Sequence, residues 1–104
     1  MKTFIDTNTD EKYRKLGFVE DGLCLRLTVG NVSVSAVGHL WKGVALGFES
    51  YTPRTISQSE SSHPTRCSLE QIAGLIYLNI AENFRESKDA WKTHFERLGL
   101  HLFQ

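Results

Sequence analysis

The sequence has few cysteines and lacks the apolar runs that mark export or membrane insertion. Its two cysteines, Cys24 and Cys67, are far apart, and the opening segment MKTFIDTNTDEKYRKL contains no apolar signal region. No stretch approaches the roughly 18 apolar residues that a membrane-spanning helix needs. We therefore expect a soluble, cytoplasmic protein with no membrane partner, in which both cysteines are free thiols rather than a disulfide.

The chain also has no excess of charge of either sign. Twelve Lys and Arg residues balance twelve Asp and Glu residues, so no net field attracts nucleic acid or an anionic lipid surface. The nearest approach to a nucleic-acid surface is Arg26 together with Trp41 and Lys42, and the residues around them are mostly Ser and Thr, with the acidic Glu49. The composition therefore disfavours nucleic acid as a partner.

Motifs for catalysis, metal binding and phosphate binding are missing. Only His63 and Cys67 lie close together as a candidate metal or nucleophile pair, whereas a structural zinc site needs four ligands and a nucleophile needs an oriented base. The glycines form neither G-x-G-x-x-G nor a P-loop. Glu82, Glu86 and Asp89 have the spacing of a solvated helix face. We expect no catalytic residue, no metal, no cofactor and no enzymatic activity.

The chain does contain enough apolar material for one core. It has 104 residues, of which 40% are hydrophobic and 11% aromatic, and this length is near the commonest domain size. We expect a single α+β domain over residues 1–104.

The clearest local pattern is a β-hairpin around Gly30-Asn31. Apolar and polar residues alternate on both sides of these two turn residues, with the period of a half-buried strand. A two-residue turn then fixes the register and places the apolar residues on one face. The predicted pairs are Val29 with Val32, Leu27 with Val34, Leu25 with Ala36, Thr28 with Ser33, and Arg26 with Ser35.

Further strands are predicted at Phe18-Val19 and from Val44 to Tyr51, which gives an antiparallel meander of three to four strands. Helices are expected to pack on one face of this sheet. A short N-terminal helix over about 9–16 precedes the strands, with Thr7 or Thr9 as its N-cap. Two helices follow them.

The helix ends carry specific signals. Gly17 is expected to end the first helix, with Phe18 packing back on Tyr13 in a Schellman motif, and Gly99 to end the last one in the same way. The two C-terminal helices are predicted to begin after Ser68, which forms a capping box with Gln71, and after Ser87.

Residues 52–67, TPRTISQSESSHPTRC, are predicted to form a long polar loop. They include both prolines of the chain and a single aliphatic residue, Ile56. A connection of this length is uncommon in a compact domain and is either functional or disordered.

In length, layout and absence of enzymatic motifs, the chain resembles the small immunity proteins of bacterial contact-dependent growth-inhibition systems. The resemblance rests on general character and not on a motif, so it assigns no role to any residue. It implies a cytoplasmic protein that binds a toxin and occludes its active site. The alternative is a non-catalytic structural or adaptor subunit that self-associates or binds another protein through a sheet edge or a C-terminal strand.

The residues that we select for protein binding lie on the 52–67 loop or at strand ends. Arg, Trp and Tyr are the residue types that most often anchor interfaces. The candidate set is Trp41, Tyr51, Arg54, Glu60, His63 and Arg66.

Overall fold

A computed structural model describes residues 7–39, 43–51, 56–64, 67–100 and 102. Its order of elements confirms the predicted α+β class, with one helix before the strands and two after them. A short 3₁₀ turn at Arg85–Ser87 leads into the last helix. The elements are α1 (Thr7–Lys15), β1 (Val19–Asp21), β2 (Cys24–Val29), β3 (Val32–His39), β4 (Gly43–Tyr51), β5 (Ile56–Pro64), α2 (Leu69–Asn83) and α3 (Lys88–Arg97).

The strands form one antiparallel meander in the order β1-β2-β3-β4-β5. The sheet therefore has five strands where the sequence predicts three to four. The hairpin register around Gly30 is confirmed in all five of its pairs. Residues 40–42, between β3 and β4, lie outside the described residues.

One face of the sheet and the three helices enclose the hydrophobic core. Alternate residues of β4 are buried along its length, as the two-residue period of a strand requires. The helices contribute large side chains to the same cluster, among them Tyr13 from α1, Ile76 from α2 and Trp91 from α3. All three helices thus pack on the inward face of the sheet.

The helix ends follow the sequence signals closely. After α1, Phe18 N donates to the Tyr13 carbonyl and Gly17 N to the Arg14 carbonyl, which is the Schellman pattern. The rings of Tyr13 and Phe18 meet edge to face at 5.0 Å. Gly99 ends α3 with the same pair of backbone bonds.

The helix starts agree less uniformly with the sequence. The capping box of Ser68 and Gln71 is present at the start of α2. Ser87 precedes α3 without a capping hydrogen bond from its side chain. The first helix begins at Thr7, and Thr9 is a buried residue inside it rather than its cap.

Residues 56–64 of the predicted polar loop form β5, which corrects that part of the prediction. This strand pairs with β4 over nine positions, from Tyr51 opposite Ile56 to Gly43 opposite Pro64. It lacks the apolar alternation that marks most strands. Backbone pairing with the neighbouring strand stabilises an edge strand as well as burial does, so such a strand can form without that pattern. Residues 52–55 and 65–66 lie outside the described part of the chain.

The C-terminal end does not add a strand at the positions that the structure describes. Leu100 is buried and Leu102 is half-buried, and neither belongs to the sheet. Among the described helices, none combines the length and the apolar character needed to cross a bilayer.

Candidate functional site

The outward face of the sheet, here called the open face, has no helix packed on it among the described residues. It is formed by the side chains that alternate with the core residues of the strands, and all of those described are half-buried or exposed. Its members on β2 to β5 include Arg26, Thr28, Ser33, Ser35, Val37, Ala45, Gly47, Glu49, Tyr51, Glu60 and Ser62.

The centre of the open face is flat. Ser35 pairs with Gly47, and Val37 pairs with Ala45, so the side chains at these four positions of β3 and β4 have at most three carbons. The hydroxyls of Thr28 and Ser33 share a hydrogen bond of 2.8 Å across β2 and β3. A partner's backbone can therefore approach this surface closely.

Exposed apolar side chains lie around this flat centre. Val37 is 40% exposed on β3, and Tyr51 is 50% exposed at the end of β4. Val19 on β1, opposite Arg26, is 63% exposed, and Leu23 in the β1–β2 turn is 70% exposed. These side chains lie at different points of the sheet, and those on the open face would add apolar area to an interface formed there.

The positive charge on the open face is paired within the sheet. Arg26 Nε lies 3.0 Å from Asp21 Oδ2, on the neighbouring strand β1. This pair occupies one end of the sheet and leaves its local charge balanced.

The opposite end of the open face is acidic. β4 and β5 carry two carboxylates, Glu49 and Glu60, and neither strand contains a Lys or Arg. The Tyr51 hydroxyl donates a hydrogen bond to Glu49 Oε2. This bond raises the pKa of the Tyr51 phenol above its usual value; desolvation and the Glu49 charge act in the same direction, and the Arg26 charge opposes them. The Tyr51 ring is thereby held at the rim with its hydroxyl protonated.

The structure brings two of the six selected residues to the open face. Tyr51 and Glu60 are both exposed there, on β4 and β5. Trp41, Arg54 and Arg66 lie outside the described residues.

His63 points to the opposite side of the sheet. It pairs with the core residue Val44, and its side chain is only 6% exposed. His63 Nε2 hydrogen-bonds the Tyr13 hydroxyl, and the two rings stack with centroids 5.9 Å apart. His63 therefore connects β5 to α1 inside the fold and is not a surface contact.

Burial determines the protonation state of the Tyr13 phenol in this pair. Burial raises the pKa of the Tyr13 phenol, and the charge of a Cys67 thiolate acts in the same direction. The Tyr13 hydroxyl therefore keeps its proton and forms its hydrogen bond with His63 Nε2 as a neutral phenol.

The two cysteines lie apart from each other and are free thiols. Cys24 Sγ contacts the Asp21 carbonyl at 3.2 Å, and the Cys67 carbonyl accepts a hydrogen bond from Lys12 Nζ at 3.1 Å. In the described ranges, no group of three or more His, Cys, Asp or Glu side chains is arranged to hold a metal ion.

A shallow cleft of about 510 Å³ lies between α3 and the end of β2. His94 forms part of its wall and already donates from Nε2 to the Leu16 carbonyl at 2.8 Å. The other polar side chains are Asp89, Thr93 and Arg97 from α3 and Thr28 from β2, whose hydroxyl is already hydrogen-bonded to Ser33. It is lined by Thr28, Val29, Asp89, Ala90, Thr93, His94 and Arg97.

Sequence reasoning anticipated that Arg26 and Thr28 face water, but it did not anticipate the contribution of β5. The only signal for that strand is the alternation of serines 57, 59 and 61 with larger polar residues. Ser59 and Ser61 are half-buried on the inward face, opposite Phe48 and Leu46.

Comparisons of this chain with protein-family models, with curated proteins and with solved structures found no match. The assignment of a function therefore depends on the geometry of the chain itself.

Proposed function

We propose that this chain is a cytoplasmic protein-binding inhibitor of the immunity type, which covers the active site of a toxin with the open face of its sheet. The observation that carries the proposal is the open face itself. It extends over five strands, no described helix covers it, and exposed apolar side chains lie around its flat centre.

The size of the open face suits a protein partner. Five strands at a spacing of about 4.8 Å span roughly 19 Å, and a nine-residue strand such as β4 is about 30 Å long. The resulting area of roughly 600 Å² is close to the ~800 Å² that each partner contributes to a standard interface. The strand ends and neighbouring turns would supply the remainder.

The chemistry of the open face supports the same class of partner. The flat, polar centre offers no deep pocket for a small molecule, and the Glu49 and Glu60 carboxylates repel nucleic acid. A protein surface with basic residues opposite these carboxylates would complement it.

A blocking substitution at the centre of the open face tests this proposal. A Cβ atom at Gly47 would meet no atom within 4 Å, so Gly47→Arg should leave the fold intact while adding a long side chain to the docking surface. Gly74 in α2 has the same open surroundings, which makes Gly74→Arg the matched control.

The experiment is co-expression with a candidate toxin domain, taken from a gene that adjoins the gene for this chain. We expect the wild type and Gly74→Arg to protect cells from the toxin, and Gly47→Arg to lose protection. Equal protection by both variants would exclude the open face as the inhibitory surface. Failure of the wild type to protect would exclude immunity to that toxin.

A further inference from the structure

The outer edge of β5 is not paired with any described strand. β5 is last in the sheet order, and only β4 pairs with it. It is nine residues long, whereas the other edge strand, β1, has three residues. Long edge strands are the places where a sheet accepts a further strand.

The backbone groups on this edge can be identified from the register. Tyr51 N donates to the Asn31 carbonyl, so the backbone of Tyr51 points toward β3. Backbone direction alternates along a strand, so the backbone of Ser50 points toward β5 and bonds its partner Ser57.

The same alternation continues along β5. Residues 57, 59, 61 and 63 direct their N–H and C=O groups toward β4, and Gln58, Glu60 and Ser62 direct theirs outward. Pro64 lies at an outward position, where its missing N–H leaves the ladder with β4 intact. The outer edge therefore presents the N–H and C=O groups of Gln58, Glu60 and Ser62, which occupy alternate positions of the strand, in the spacing of a β-ladder.

A second copy of the chain is a poor occupant of this edge. The longest symmetric antiparallel pairing of β5 with itself would place Glu60 directly opposite Glu60 of the second copy. Like charges in directly opposed positions destabilise a strand pair. Gly47, the neighbour of Glu60 on β4, offers no charge to offset this repulsion.

We infer that the outer edge of β5 binds an extended strand of a partner protein that carries a basic residue opposite Glu60. The backbone of Gln58, Glu60 and Ser62 supplies the hydrogen bonds, and the Glu60 carboxylate selects the partner by charge. β4 and β5 contain no Lys or Arg that could pair with Glu60, so the basic residue comes from the partner. The inference adds an attachment point to the proposed protein-binding function.

A charge-reversed copy of the chain serves as the probe, because it supplies a strand with lysine at the required position. Wild type and Glu60→Lys would be studied separately and as an equimolar mixture by sedimentation velocity, at equal total concentration. We expect the mixture to dimerise with a dissociation constant about tenfold lower than either protein alone, and to lose this advantage in high salt.

The control is a mixture of wild type with Glu82→Lys, which reverses an exposed charge on α2 and should give no dimer. Glu60→Thr provides a second variant that removes the repulsion, and it should self-associate more strongly than the wild type.

Monomers in every sample, including Glu60→Thr, would overturn the inference. So would equal dimerisation of the wild type alone and of the mixture. Because no toxin is present in this experiment, its outcome is independent of the co-expression test of the proposed function.

Discussion

The Tyr13–His63 pair shows how a single hydrogen bond can connect distant parts of the fold. Tyr13 is fully buried in α1, and His63 lies near the end of β5, 50 positions along the chain. Each side chain gives the other a polar partner inside the core, where an unsatisfied group is costly. This contact ties the edge strand to the helical layer.

We expect Tyr13→Phe to destabilise the protein by about 1–3 kcal/mol, because the buried hydrogen bond between the Tyr13 hydroxyl and His63 Nε2 is lost. The measurement is urea unfolding followed by circular dichroism. Tyr51→Phe makes the same chemical change on the open face, where the ring is half exposed, and should change stability by less than about 0.5 kcal/mol. Equal changes in the free energy of unfolding would show that the buried Tyr13–His63 hydrogen bond stabilises the fold no more than the exposed Tyr51 hydroxyl does.

The Tyr13→Phe variant also tests the pKa of the Tyr13 phenol. Burial raises the pKa of Tyr13 in the folded chain, so the unfolded chain releases the phenol proton first as the pH rises above about 10. The wild type should then lose up to about 1.4 kcal/mol per pH unit relative to Tyr13→Phe. A stability difference that stays constant with pH would contradict a buried, protonated phenol.

At the scale of secondary-structure elements, the sequence specifies those features that depend on neighbouring residues. The hairpin at Gly30, the capping box of Ser68 and the Schellman ends of α1 and α3 were all predictable, because each depends on a few consecutive residues. β5 was not, since its order comes from pairing with β4, and its inward positions opposite Phe48 and Leu46 hold only small serines. The open face was accordingly predicted in β2 and β3, but not in its full width.

Gly17 and Gly99, which end α1 and α3, differ in their surroundings. Replacing them should therefore destabilise the protein by different amounts. Both glycines have positive φ, at 105° for Gly17 and 80° for Gly99, which strains any other residue. A Cβ atom at Gly17 would also lie 3.2 Å from the His94 ring, whereas one at Gly99 would meet nothing within 4 Å.

We therefore expect Gly99→Ala to cost about 1 kcal/mol and Gly17→Ala clearly more, as measured by urea unfolding. Gly17→Ala should also disturb the hydrogen bond from His94 to Leu16. Equal destabilisation by the two substitutions would mean that the His94 side chain moves away freely and does not hold α1 in place.

At the scale of the whole molecule, the two faces of the one sheet differ in what they contact. The inward face and the helices supply the core. The outward face and the β5 edge keep polar groups and a few apolar side chains exposed. The neutral overall charge conceals this arrangement, because Arg26 is paired with Asp21 while the β4–β5 end remains acidic.

The full width of the open face and the proposed binding edge depend above all on residues 56–64 forming an edge strand rather than a loop. Amide hydrogen exchange of the free protein, resolved by residue with NMR, tests that claim most directly. We expect slow exchange at Ser57, Ser59 and Ser61, whose amides point toward β4, and fast exchange at Gln58, Glu60 and Ser62, whose amides point outward. Uniformly fast exchange would contradict the strand, and uniformly slow exchange would show that its outer edge is already occupied.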